Sequence, residues 1–420
     1  MKFEAKPGDL VEINFIKKSY KGIFLESPEP GIFLLKTDSG YNLGFNKKDI
    51  LNINVLKKFN PEKIKEIEIT KDENKPNIAI VITGGTIASS YNSKVGGVTP
   101  LKSSSDLFKF YPQIFQKANV TKIEVPFMKD SSELNFSDWK KVAKIVEKLV
   151  NDSNISGVII AHGTDTLHYA SSCLSFFLRN LPKPVVLTYS QRSIDRASSD
   201  ATLNLECSAL AAISDIAEVM VVGHASSNDD FCYAIPGTKV RKMHSSKRDA
   251  FKSINKKPFA KIYTDRIEIL SEYSKREKIK CKLDLNFEEK IALIKFYPGQ
   301  DANILDYYLK NKYKGIVLEM FGLGQISKKW LVKLKEVQKK GLIICATSQT
   351  IYGRVNPLVY SIGREFLNTG VIYLEDMLSE TALVKLGWVL GHKEWIKNKN
   401  AIKEKMLENF SREINDRLEE

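Results

Sequence analysis

Two short segments of this chain place hydroxyl and carboxylate side chains directly behind glycine, at the end of an apolar run. The first, "PNIAIVITGGTIASSYNS" (76–93), carries Thr86 behind Gly84 and Gly85. The second, "SGVIIAHGTDTLHYASSCLSFFL" (156–178), carries Thr164 and Asp165 behind Gly163. In both, an Ile/Val run of strand length is followed by a turn, which sets these residues at the carboxyl end of a buried strand. Open α/β sheets hold their ligands there. One such turn also reads as an ordinary strand-to-helix connection, with glycine chosen for backbone freedom. Two, each presenting a hydroxyl, point to a site. A threonine hydroxyl becomes a nucleophile only when a neighbour takes its proton. Asp165 supplies a carboxylate, and a partly desolvated lysine supplies an amine that loses its proton more easily. The candidate source of that lysine is the basic run "GTKVRKMHSSKRDAF" (237–251), which reads equally as a solvated or RNA-contacting surface. Backbone N–H groups at the glycine turns and helix starts add oxyanion donors, worth on the order of 100- to 1000-fold each.

Other chemistries lack their anchors. The chain has no G-x-G-x-x-G, no G-x-x-x-x-G-K-[ST] and no G-x-S-x-G, so nucleotide-binding and serine-hydrolase readings have no motif to stand on. Five histidines and five cysteines form no HExxH, no CxxC and no metal-ligand spacing, so no metal is expected. Cysteines this scattered, with one necessarily unpaired, suit a reducing cytoplasm. The start "MKFEAKPGDLVEI" holds no apolar leader core, and nothing reaches the roughly 18 apolar residues of a membrane span. The net charge of +14 reads either as a lysine-rich surface or as attraction to a polyanion such as tRNA.

The elements that must hold these residues follow from the pattern along the chain. Residues 1–72 comprise short β-branched and aromatic segments separated by Gly, Pro, Asp and Ser, then most of the charged stretch "KKFNPEKIKEIEITKDENKP", which runs on to residue 76. That predicts a small SH3-like β-barrel and a linker. Over 75–270, strand-like runs alternate with amphipathic stretches such as "DWKKVAKIVEKLV", and the pattern resumes over 285–420. The fold class expected is α/β: a two-domain core of mostly parallel sheets behind the barrel, with the catalytic residues in the first core domain. The tail from 394 reads as helical, with Ile402, Met406, Phe410, Ile414 and Leu418 four residues apart.

"TGGTIAS" and "AHGTDTLHYAS" resemble the two signature segments of the bacterial-type asparaginase family, amidohydrolases with a threonine nucleophile. The resemblance covers about residues 77–400 and implies that Thr86 is the nucleophile, with Thr164, Asp165 and Lys242 as a hydroxyl–carboxylate–amine set. Lys242 is singled out by its nine-residue distance to Phe251. "DSSELNFSDW" resembles the loop that grips the substrate's α-amino and carboxylate groups, which gives Ser131 and Ser132 that role. The family usually carries a proton-accepting tyrosine in the loop behind the nucleophile. Here Ser93 aligns with it, and Tyr91, two residues earlier, is the candidate replacement.

"LLKTDSGYNLGF", "QTIYGRVNPLVYSIGREF" and "EDMLSETALVKLGWVLG" narrow the resemblance to the D subunits of archaeal glutamyl-tRNA(Gln) amidotransferases, over nearly the whole chain. It implies ammonia release from glutamine or asparagine, for an E subunit that uses ATP and Mg to convert Glu-tRNA(Gln) to Gln-tRNA(Gln). It also implies a homodimer, and no cofactor in this chain. The competing readings are a free-standing asparaginase, which leaves the first 75 residues without a purpose, and a catalytically silent RNA- or partner-binding scaffold.

Overall fold

Alternation of apolar and polar residues in the first sixty positions produces a half-buried antiparallel sheet. The computed structural model describes residues 4–25, 27, 29–37, 42–58, 72–92, 97–100, 114–193 and 199–419, except the side chains of 42, 90–92, 97–100 and 115. Its first sheet is built from β1 Leu10–Asn14, β2 Ser19–Leu25, β3 Ile32–Lys36, β4 Asn42–Asn46 and β5 Asn52–Lys57, in the order β4-β3-β2-β1-β5. Val11 and Ile13 of β1, with Phe33 and Leu35 of β3, point to one face and close on Ile50.

The second sheet is where the glycine turns lie. It is built from β6 Asn77–Ile82, β9 Asn119–Glu124, β10 Gly157–Ala161, β12 Val185–Thr188, β13 Val219–His224, β14 Cys232–Pro236, β17 Ala260–Ile262 and β18 Ile267–Ile269. The order is β18-β17-β14-β13-β12-β10-β6-β9. Pairings from β9 to β13 are parallel, and those from β13 to β18 are antiparallel. This sheet is therefore mixed: parallel pairing predominates, as expected, with an antiparallel set of strands at one edge. The β13–β14 and β17–β18 connections are too short for a crossover, so those strands can only return antiparallel.

Every residue of β10 and β12 is buried, because helices cover both faces. Ala79 and Val81 of β6 meet the helices Phe136–Asn151 and Leu167–Phe177, while Ile78, Ile80 and Ile82 meet the helix Ala201–Ile213. Short pairs complete this part: β7 Ser89–Asn92 with β8 Gly97–Pro100, β11 Leu178–Arg179 with β19 Lys282–Leu283, and β15 Val240–Lys242 with β16 Phe251–Ser253.

The third sheet is all parallel, in the order β20 Ile291–Lys295, β21 Gly315–Met320, β22 Ile343–Ser348 and β23 Ile372–Tyr373. The buried helix Ser379–Gly391 lies between it and the Leu167–Phe177 helix, so one continuous apolar core joins the two larger sheets.

The tail departs from its helical pattern. Its helix, Lys399–Leu407, stops before Phe410, and residues 408–419 run as a strap across the junction of the two larger sheets. The Glu413 carboxylate accepts from the backbone N–H groups of Phe410 and Ser411, a local alternative to helical bonding. Glu413 also pairs with Lys385 at 2.6 Å, both side chains fully buried. Ser411 Oγ donates to the Ser175 carbonyl, and Thr238 Oγ1 donates to the Ser411 carbonyl.

Glu413→Ala leaves Lys385 as an uncompensated interior charge, which costs about 3–5 kcal/mol; urea unfolding of the variant measures it. A second test uses pH. His392, at the carboxyl end of the Ser379–Gly391 helix, meets Asp284 at 2.9 Å and the Trp388 carbonyl at 2.7 Å. Burial opposes charging of this imidazole, but Asp284 and the Trp388 carbonyl outweigh it and hold its pKa above the usual 6.5. A raised folded-state pKa means the stabilisation is complete below about pH 6.5, the unfolded value, and is lost as pH rises from there through the higher folded-state pKa. The difference in Tm between wild type and Asp284→Asn is expected to be largest at acid pH and to shrink towards alkaline pH.

Candidate active site

Thr86 opens a single 3₁₀ turn, Thr86–Ala88, at the carboxyl end of β6. The residue before it, Gly85, has φ 80° and ψ 178°, a region essentially reserved for glycine. The need is steric as well as torsional. A Cβ on Gly85 would lie 2.3 Å from the Gly163 Cα, so the two glycine turns touch backbone to backbone. Thr86 follows one member of that contact and Thr164 follows the other. Thr86 and Thr164 are both partly exposed.

Sheet register enforces the approach. Ile82 of β6 is level with Ala161 of β10, and the Thr83 N–H and Oγ1 both donate to the Ala161 carbonyl at 3.0 Å. One strand further, the His162 N–H donates to the Thr188 carbonyl. Burial drives the His162 pKa down to about 4, and its Nδ1 sits 2.7 Å from the Gly163 carbonyl oxygen. A neutral imidazole with Nδ1–H donating satisfies that geometry.

Lys242 completes the set. Its Nζ donates to Thr164 Oγ1 and to Asp165 Oδ1, each at 2.7 Å. The spacing to Phe251 has a structural meaning, since Lys242 and Phe251 are cross-strand partners in the β15–β16 pair. Ser131, buried, joins the same turn. Its Oγ accepts from the Asp165 N–H at 3.1 Å, and its carbonyl accepts from Thr166 Oγ1 at 2.7 Å. A Cβ on Gly163 would lie 2.7 Å from Ser131 Oγ, so a third segment packs against the same glycine. Ser132 is exposed beside it. Tyr91 sits in β7 opposite Val98, but its side chain lies outside the described residues, as does all of Ser93.

Chemically, the arrangement presents the kinds of group that acyl transfer uses. It offers an accessible hydroxyl on a strained turn, a second hydroxyl bonded to an ammonium, a carboxylate on that ammonium, and backbone N–H groups at two turns. Among the described residues, no three His, Cys, Asp or Glu side chains gather as a metal ion requires.

Sequence reasoning does not reach the partners behind Lys242. Arg241 Nη2 lies 3.0 Å from Glu380 Oε1, and Lys239 Nζ lies 2.7 Å from Asp376 Oδ2. His168 lies near the Arg241–Glu380 pair, and burial, with help from Arg241 and Lys242, pushes its pKa down to about 3. It is therefore neutral at 4.0 Å from Glu380. Burial raises the Glu380 pKa, with Arg241 working against the rise. The acidic partners lie more than 130 residues away along the chain, so neither spacing nor a local motif announces them.

Comparison with known proteins places the chain in a family. Three family descriptions match in order: "GatD N-terminal domain" over 5–56, "Asparaginase, N-terminal" over 77–275 and "Glutaminase/Asparaginase C-terminal domain" over 290–406. The D subunit of the Pyrococcus furiosus glutamyl-tRNA(Gln) amidotransferase is 45% identical, over 97% of this chain and 94% of that protein. Its counterpart from Methanobrevibacter smithii is 41% identical, over 98% and 94%. Among solved structures, the thermostable L-asparaginase from Thermococcus kodakarensis superposes with a TM-score of 0.71 at 30% identity, over 81% of this chain and 99% of that one.

Gly85→Ala is expected to destabilise the protein by about 2–3 kcal/mol, because strain and collision act together. Gly299→Ala is the control, with φ 85° and open space where the Cβ would go. It should cost only about 1 kcal/mol. Parallel urea titrations distinguish the two, and equal losses would contradict the close backbone approach.

Proposed function

This chain belongs to the asparaginase family, among the D subunits of glutamyl-tRNA(Gln) amidotransferases, and on that footing we propose that it is the glutaminase-type subunit of such an enzyme. It releases ammonia from glutamine, or from asparagine, for conversion of Glu-tRNA(Gln) to Gln-tRNA(Gln). One observation carries the chemistry: Lys242 Nζ at 2.7 Å from both Thr164 Oγ1 and Asp165 Oδ1, beside the turn that presents Thr86.

The reaction is acyl transfer. Thr86 Oγ1 attacks the side-chain amide carbon, a C–O bond forms, and the C–N bond breaks as the nitrogen leaves with a proton as ammonia. Water then cleaves the ester, giving glutamate and restoring Thr86. The Lys242–Thr164–Asp165 set moves protons between nucleophile, leaving nitrogen and water. Ser131 and Ser132 hold the α-amino and carboxylate groups, and in the first step Tyr91 relays a proton, taking the one from Thr86 as its own phenolic proton passes on to the leaving nitrogen. Backbone N–H groups at the glycine turns bear the charge that develops on the carbonyl oxygen.

The ammonia passes to an E subunit, where ATP and Mg activate the glutamate on tRNA. Glu-tRNA(Gln) is held mainly by that subunit, and this chain carries no cofactor of its own. We read the first sheet as an SH3-like barrel; the match over 5–56 separates this chain from a free-standing asparaginase. The chain works as a homodimer, a reading supported by the exposed apolar side chains Tyr352, Leu358, Val359 and Tyr360. The protein is cytoplasmic. All five cysteines are buried free thiols, and no helix among the described residues is long and apolar enough to cross a membrane.

Thr86→Ala is expected to lower glutamine-supported formation of Gln-tRNA(Gln) at least about 1000-fold, while ammonium still supports it. Glutamine-supported activity surviving the substitution would refute the assignment. Ammonia release should rise when the partner subunit and charged tRNA are added, and equal rates with and without them would contradict coupling. Tyr91→Phe should slow ammonia release; an unchanged rate removes Tyr91 from the mechanism.

A further inference from the structure

Strand β15 is three residues long, yet it is held from both sides of the molecule. Its side chains alternate, as strand geometry requires. The even-numbered ones face the β10 side: Val240 enters the core shared with the Leu167–Phe177 helix, and Lys242 reaches Thr164 and Asp165. The odd-numbered ones, Lys239 just before the strand and Arg241 within it, reach the residues leading into the Ser379–Gly391 helix and its first turn. Lys239 Nζ meets Asp376 Oδ2 at 2.7 Å with both side chains fully buried, and Arg241 Nη2 meets Glu380 Oε1 at 3.0 Å. Thr381 Oγ1 donates to the Thr238 carbonyl at 2.9 Å, so the approach to the strand is fixed from the same segment.

The two carboxylates are themselves held. Asp376 accepts from the Asn415 N–H at 2.9 Å and from Asn415 Nδ2 at 2.8 Å, which ties it to the carboxyl-terminal strap. Glu380 is buried, and among the described residues its Oε2 has no hydrogen-bond partner. The cation it meets is Arg241, through Oε1, with His168 4.0 Å away, its own backbone N–H beside it and Glu319 near enough to repel it. A neutral imidazole at that distance adds no charge. The charged part of the hold on β15 from this side is therefore the two ion pairs, beside the Thr381 hydrogen bond.

We propose that Asp376 and Glu380 are positioning residues for Lys242, so that the unit built on the third sheet sets where the lysine ammonium meets Thr164 and Asp165. The proposal rests on the reading of Lys242 as part of the deamidation machinery. It supplies a physical route for coupling: any displacement of the Ser379–Gly391 helix is delivered through residues 239 and 241 to residue 242, one peptide away.

The test uses the full chain with its partner subunit and Glu-tRNA(Gln), comparing Glu380→Ala, Glu380→Gln and Asp376→Asn with wild type. Glu380→Ala should lower kcat for glutamine-supported amidation at least tenfold with KM within twofold, while the ammonium-supported rate is unchanged. Glu380→Gln still offers Arg241 an oxygen acceptor and should recover to within threefold of wild type. A purely structural role would lower Tm and leave kcat of the folded fraction alone. That result, or a change confined to KM, overturns the proposal. If Glu380→Ala does not fold, Glu380→Asp, whose carboxylate is drawn back by one methylene, decides the matter: kcat within twofold of wild type overturns, and a loss of fivefold or more supports. Thr86→Ala is run in parallel. Activity with glutamine in that variant sinks the deamidation reading itself, whereas a silent Thr86→Ala beside an unaffected Glu380→Ala sinks only the positioning.

Discussion

Gly85 meets the Gly163 backbone so closely that it has no room for a Cβ, and Gly163 has none either, because Ser131 packs against it. Around this contact the rest of the site is arranged. Two parallel neighbours, β6 and β10, bring their carboxyl ends level, and the absence of Cβ atoms lets the chains meet and step apart into Thr86 and Thr164. The strands supply rigidity, since both are buried on two faces by helices that share their cores. A hydroxyl on a loop would need to find its partners by diffusion of the chain. A hydroxyl on such a turn starts close to them, and the conformational cost was met when the sheet folded.

Lys242 enters this frame from a different direction. It belongs to a short antiparallel pair and is drawn to Thr164 and Asp165 by two charge-assisted hydrogen bonds. The same strand is gripped by buried carboxylates from the third sheet's unit, and one of them is tied to the carboxyl-terminal strap. The strap is anchored in turn by the buried Lys385–Glu413 pair. Charge placement in the interior of this protein therefore runs along one line, from the tail through Asp376 and Lys239 to the strand of Lys242. Buried ion pairs are weak sources of net stability but strict about geometry. Here that strictness falls on the strand that carries Lys242.

The glycine turns are legible in the sequence because their signal is local. "VITGGT" and "IIAHGTD" each carry a strand, a turn and a chemically able residue within seven positions, and register then does the joining. The mixed character of the large sheet is not legible, since β14, β17 and β18 are short and their composition does not distinguish a hairpin return from a crossover. The tail misleads for a related reason. Ile402, Met406, Phe410 and Ile414 keep a helical spacing, yet Glu413 caps the backbone of 410 and 411, and the chain leaves the helix to pair with Lys385. Lys242 needs the resemblance to a family, because five basic residues within ten positions, 239 to 248, are equivalent until the fold aims one of them. The acidic partners at 376 and 380 lie in the quoted segment "EDMLSETALVKLGWVLG", but nothing in it tells that they face Lys239 and Arg241.

The central claim is that Thr86 is the atom-bearing centre of acyl transfer, and the most direct measurement is to trap it. The complete enzyme is treated with an electrophilic diazoketone analogue of glutamine, digested, and the modified residue located by mass spectrometry. A single adduct on Thr86, prevented by excess glutamine, is the predicted result. An adduct on Thr164 or elsewhere, or no adduct while glutamine is still being turned over, would contradict it.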